Sequence, residues 1–136
     1  MFVSNVYNEG SLIVGQMSGL IEPQSFINGI FWQIDSRNVG EVQEGFSQLY
    51  YDTGVEQVAV NEDDIRRIAE INLGIGMHAG SFRTALVLSD PEIIRLARIH
   101  QGLTKEHGFE VEIFNNLESG FKWLGCENPD PDNIKI

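Results

Sequence analysis

The sequence predicts an α/β domain built on a mixed, mainly parallel sheet that opens with an antiparallel hairpin, in the order β-β-α-β-α-β-α-β-α. Three observations carry this. Two β-prone runs, Phe2 to Tyr7 and Leu12 to Met17, flank Asn8-Glu9-Gly10-Ser11, a polar, glycine-containing link of hairpin length. Further on, short apolar runs alternate with segments of helical periodicity, the pattern of right-handed crossovers between parallel strands. Ala85-Leu86-Val87-Leu88 is unbroken and apolar, as expected of a strand covered on both faces, and is the expected centre of the sheet.

After the hairpin, Pro23 suits the first turn of a helix, and Phe26, Ile27, Ile30, Phe31 and Ile34 fall on one broad stripe, with Trp32 off it. Gly40 to Gly45 reads as a loop, and Phe46 to Tyr51 as a strand ended by Asp52-Thr53-Gly54. Asn61 is placed to cap a second helix, because Glu62, Asp63 and Asp64 then put negative charge at its dipole-positive end. Its packed stripe is Ile65, Ile68, Ala69 and Leu73, and Gly74, Gly76 and Gly80 are expected to end it.

Asp90 caps and Pro91 starts a third helix packed through Ile93, Leu96, Ala97 and Leu103, with a stop at Gly108 after His107. Glu110 to Phe114 alternates like a half-buried strand, and Asn116 caps a short helix over Leu117 to Leu124 that packs Phe121 and Leu124. Residues 1–125 form one α/β domain, and 126–136, with Pro129 and Pro131, form a polar C-terminal tail.

Composition narrows the functional classes. A chain of 136 residues that is 42% hydrophobic has the size and apolar content of one folded domain. Its net charge of −11 repels phosphate backbones, so nucleic acid is not an expected partner. The single Cys126 allows no internal disulfide and fits a reducing compartment. No basic stretch follows Met1 and no apolar run approaches the ~20 residues of a membrane span, so a cytoplasmic protein is expected.

From Arg83 to Gly125 the chain combines an apolar strand, an Asp90-initiated helix with the step Leu96-Ala97-Arg98, the strand Glu110 to Phe114, and a helix closing in Trp123-Leu124. This scheme resembles the STAS-like superfamily of small bacterial domains, in its SpoIIAA-like branch, which is grouped in fold with SEC14-type lipid-binding domains. Leu49-Tyr50-Tyr51-Asp52 and the Asn61 to Ile71 helix are similar, more loosely, to the middle of such domains. The resemblance implies a SpoIIAA-like fold and a non-enzymatic regulatory or protein-interaction module that binds a protein partner or self-associates. Through the SEC14 relationship it implies, as the alternative, a carrier or sensor of a small apolar or lipid-like ligand, with the apolar Phe26 to Ile34 helix as its lid. The phosphorylatable Ser of this superfamily has no counterpart in Val58 to Asp63, where Glu62 and Asp63 would repel a phosphate; Thr53 is the remaining hydroxyl for that role.

In a parallel sheet, ligands sit outside the carboxyl ends of the strands. Asp52, Thr53, Ser89, Asp90 and Asn115 are expected there as a polar rim for a small ligand or a partner's basic residue, beside the plainer reading in which Asp52 and Thr53 close a turn and Asp90 and Asn116 cap helices. Arg95, Arg98 and Lys105 place a basic strip on an acidic molecule, and Arg98 is its expected anion or partner contact. Trp32 either anchors an interface or covers the hairpin. Gly74 to Gly80 follows a helix instead of preceding one, so it reads as a connector and not as a phosphate loop. His100 falls at the border of a packed face, while His78 and His107 lie by glycine turns, and none has a second ligand at metal spacing. No catalytic residue, metal or cofactor is expected, because no nucleophile, base or ligand set is assembled.

Overall fold

The computed structural model describes residues 1–79, 83–107 and 110–136. Five strands, β1 (Phe2–Tyr7), β2 (Leu12–Ile21), β3 (Ser47–Val58), β4 (Arg83–Val87) and β5 (Glu110–Phe114), lie side by side in chain order. β1 runs antiparallel to β2, with Tyr7 opposite Leu12, and the other neighbours are parallel. The hairpin link turns through left-handed backbone at Asn8, Glu9 and Gly10, where φ is 53°, 57° and 91°. Helices α1 (Pro23–Asn38), α2 (Glu62–Ala79) and α3 (Pro91–Thr104) provide the crossovers, and α4 (Leu117–Leu124) follows β5.

Sequential strand order with right-handed crossovers puts the three crossover helices on one face of the sheet. There Ile30, Ile65, Ile68, Ile93 and Leu96 pack on Met17, Ile21, Val60 and Leu88. The opposite face carries Leu12, Val14, Leu49, Tyr51, Ala85 and Val87, covered by Phe121 of α4 and by Ile134. The period-2 alternation along β3 and β4 sends consecutive residues into these two cores. α4 approaches closely at Gly120, where a Cβ would lie 2.9 Å from Val87 Cγ2 and 3.0 Å from Leu49 Cδ1.

Local chemistry sets the helix starts. Asn61 and Asp64 exchange side-chain and backbone hydrogen bonds in a capping box. The Asp90 carboxylate accepts from the N–H groups of Glu92 and Ile93, and the Asn116 side chain from that of Ser119. Gly125 ends α4 in the left-handed region at φ 79°.

Several elements depart from expectation. β2 extends to Ile21, and β3 continues through Asp52-Thr53-Gly54 to Val58, because the two stay paired beyond a register shift around Gly19. β3, and not the Ala85 to Leu88 strand, is central, although β4 is covered on both faces as expected. α2 runs past Gly74 and Gly76 to Ala79; the expected breaks at Gly80 and Gly108 lie outside the described residues. On α1, Phe31 is exposed, while Gln33 and Ser36 are buried. Residues 126–136, expected as a polar tail, return along the second face, where Ile134 is buried and its carbonyl accepts from Asn128.

Candidate functional site

The carboxyl edge of the parallel strands brings Asp52, Ser89 and Asp90 together. The Asp52 carboxylate is buried and accepts from the Ser89 N–H at 2.8 Å, the Ser89 hydroxyl at 2.9 Å and the Asp90 N–H at 2.8 Å. Since Asp90 in turn caps α3, the carboxylate of β3 holds the turn that launches α3. Thr53 is half-buried inside β3, and Asn115 is exposed and accepts from Asn116. The other sequence candidates lie elsewhere. Trp32 is half-buried against the cluster of Ile13, Val42 and Phe46. Arg98 is exposed on α3, whereas Arg95 is held between Glu92 at 2.7 Å and Glu62 at 3.0 Å.

Between the sheet and α1, α2 and α3 lies a cavity of about 140 Å³. Its two ends differ. Toward the carboxyl ends of the strands it is lined by Ile21, Val58, Ile65, Leu88 and Ile93. Toward their amino ends it is lined by Gln33, Gln48, Thr84, Asn72 and His100. The crossover topology creates this division, because each helix runs back against its strands and delivers its C-terminal half to their amino ends.

The polar end is organised. Gln33 Nε2 donates to Gln48 Oε1 at 2.7 Å and to the Tyr50 hydroxyl at 2.9 Å, and Gln48 Nε2 donates to Thr84 Oγ1 at 2.8 Å. Gln48 and Thr84 are register partners, so the row crosses β3 and β4 at right angles. The Tyr50 ring lies over its register partner Gly15, where a Cβ would overlap it. Burial raises the Tyr50 pKa above its ordinary value, so the phenol stays protonated; hydrogen bonds to Gln33 and Ser4 act in the other direction.

Across the cavity, Asn72 Nδ2 lies 2.9 Å from His100 Nε2. Burial pushes the His100 pKa down from 6.5 to about 4, and the neutral ring presents Nε2 as an acceptor to the Asn72 amide. No Asp, Glu, Lys or Arg lines the cavity among the described residues. The polar groups of the described lining are neutral at pH 7 and offer no counter-ion for a charge.

His100 is partly buried, as its spacing predicts, but Gln33, Gln48, Tyr50, Thr84 and Asn72 were not legible as a site. The available signal was polar interruption of apolar pattern: Gln48 and Thr84 adjoin core strand residues, and Gln33 follows Ile30 by three positions. Among the described residues, no group of three His, Cys, Asp or Glu is placed to hold a metal, and no helix is long and apolar enough to cross a membrane.

A five-stranded mixed sheet opened by a hairpin, with three crossover helices on one face and a closing helix on the other, defines a SpoIIAA-like α/β domain. The chain is similar over most of its length to the crystal structure of an uncharacterized DUF3478-family protein with a SpoIIAA-like fold from Shewanella loihica PV-4. The two are 12% identical with a TM-score of 0.55, covering 90% of this chain and 93% of that one, a likeness of fold. No family model matches the chain, and no curated protein matches it.

Proposed function

We propose that this domain is a non-enzymatic sensor or carrier that encloses a small, predominantly apolar ligand between its sheet and α1, α2 and α3. The cavity with one apolar and one hydrogen-bonding end carries the reading, since ligand sites combine apolar walls with a few placed polar groups. Native mass spectrometry of protein purified gently from its host tests it. A reproducible small adduct that is lost on denaturation supports the reading, and bare protein under the same conditions counts against it.

A regulatory module working through protein contacts is the second reading. It draws on the SpoIIAA-like fold and on Arg98, which is exposed and forms no ion pair among the described residues. Trp32 is its other contact candidate. Sedimentation of the wild type and Arg98→Ala tests it: a wild-type dimer that the substitution weakens supports the reading, and a monomer that retains no partner argues against it.

A further inference from the structure

We infer that the ligand of the helix-side cavity is a neutral, roughly benzene-sized molecule bearing a hydroxyl group, of the phenol class, with its hydroxyl on the Gln33–Gln48–Thr84 row and its ring toward Leu86, Ile68 and Leu96. This rests on the ligand-binding reading above and adds the size, charge and hydrogen-bonding character of what is bound.

Size comes first. The cavity of about 140 Å³ is close to the ~150 Å³ of an apolar protein cavity that takes benzene. A single ring with a small substituent fits such a space. Charge comes next. A carboxylate or ammonium would leave water for walls that carry no opposite charge among the described residues. The neutral His100 does not supply one, and its partner is already the Asn72 amide.

The hydroxyl follows from the valences of the polar row. Gln33 uses both Nε2 hydrogens, on Gln48 and Tyr50, and Gln48 uses one Nε2 hydrogen, on Thr84. The Gln33 carbonyl oxygen, the second Gln48 N–H and the Thr84 hydroxyl proton have no partner among the described residues. One acceptor beside two donors matches a group that both donates and accepts. A hydroxyl does so, while an ether accepts only and a hydrocarbon does neither.

Titration calorimetry at pH 7 with benzene, anisole, phenol and benzoate tests the assignment. Phenol should bind roughly tenfold more tightly than benzene or anisole, the effect of one or two net hydrogen bonds, and benzoate should bind at least tenfold more weakly than phenol. Gln33→Met conserves volume and removes the carbonyl; phenol should then lose its roughly tenfold preference over benzene. If Gln33→Met does not fold by circular dichroism, Thr84→Val provides the same comparison through the lost hydroxyl donor. Anisole or benzoate equal to phenol would overturn the hydroxyl assignment while leaving the cavity as a ligand site. If none of the four binds, the underlying ligand-binding reading fails as well.

Discussion

Gln33 of α1 donates to Gln48 of β3 at 2.7 Å, a buried amide-to-amide hydrogen bond across the helix–sheet interface in which Ile30, Ile68 and Leu96 also pack. Its energetics depend on both partners being present. Gln48→Leu leaves a Gln33 N–H and the Thr84 hydroxyl short of a partner and should destabilise by about 1–3 kcal/mol. The double variant Gln33→Met/Gln48→Leu should cost less than the sum of the single variants by about 1 kcal/mol or more, since it removes the orphaned amide as well. Urea denaturation of the four proteins measures this; additive costs would mean that the two amides act independently.

His100 makes stability depend on pH with a definite sign. Its pKa in the folded protein is about 4, below the ordinary 6.5, so between these values the unfolded chain takes up a proton that the native ring refuses. Stability is therefore lost as pH falls from about 6.5 toward 4, by up to about 3 kcal/mol. Carboxylates titrate in part of the same window, so the readout is a difference. The loss between pH 7 and pH 4.5 should be smaller in His100→Gln than in the wild type by about 2 kcal/mol, and equal losses would remove His100 from the account.

The glycines divide by what surrounds them. Gly102 is exposed on α3 with open space at its Cβ, and Gly102→Ala should stabilise by about 0.5–1 kcal/mol through helix propensity. Gly120 also lies in a helix, yet a methyl there meets Val87 and Leu49 at 2.9–3.0 Å, so Gly120→Ala should destabilise by about 1–3 kcal/mol. Thermal denaturation should show opposite shifts for the same chemical change.

Asp52 holds the β4–α3 turn by accepting from two backbone N–H groups and the Ser89 hydroxyl. Asp52→Ala removes the shared acceptor of these half-buried and exposed donors and should cost about 1–2 kcal/mol. Hydrogen exchange at Ser89 and at the first turn of α3 should accelerate more than exchange in β5. Uniform acceleration would indicate that Asp52 supports the whole fold and not this turn.

The order of elements and the caps at Asn61, Asp90 and Asn116 were legible because capping and hydrophobic period are local properties. The extension of β3 through Asp52 to Val58 was not, because the extended partner strand β2 overrides a local Asp-Thr-Gly turn signal. The run of α2 past Gly74 and Gly76 has the same character: a glycine in a helix costs about 1 kcal/mol, which context outweighs. The candidate site was largely hidden for a different reason. A stripe drawn from apolar residues alone assigns Phe31 to the interior and passes over Gln33, whereas the structure exposes the first and buries the second. Polar residues at core positions become meaningful only when the fold brings Gln33, Gln48 and Thr84 into one row.

The claim that the helix-side cavity is a ligand site is tested most directly by methyl NMR during titration with phenol, in the wild type and in Ala97→Leu, which places extra carbon in the cavity. Saturable shifts are expected at Ile68, Leu86 and Leu96, with unchanged methyls at Val14 and Leu49 on the opposite face and loss of the response in a folded Ala97→Leu. Absent shifts in the wild type, or equal shifts on both faces, would contradict it.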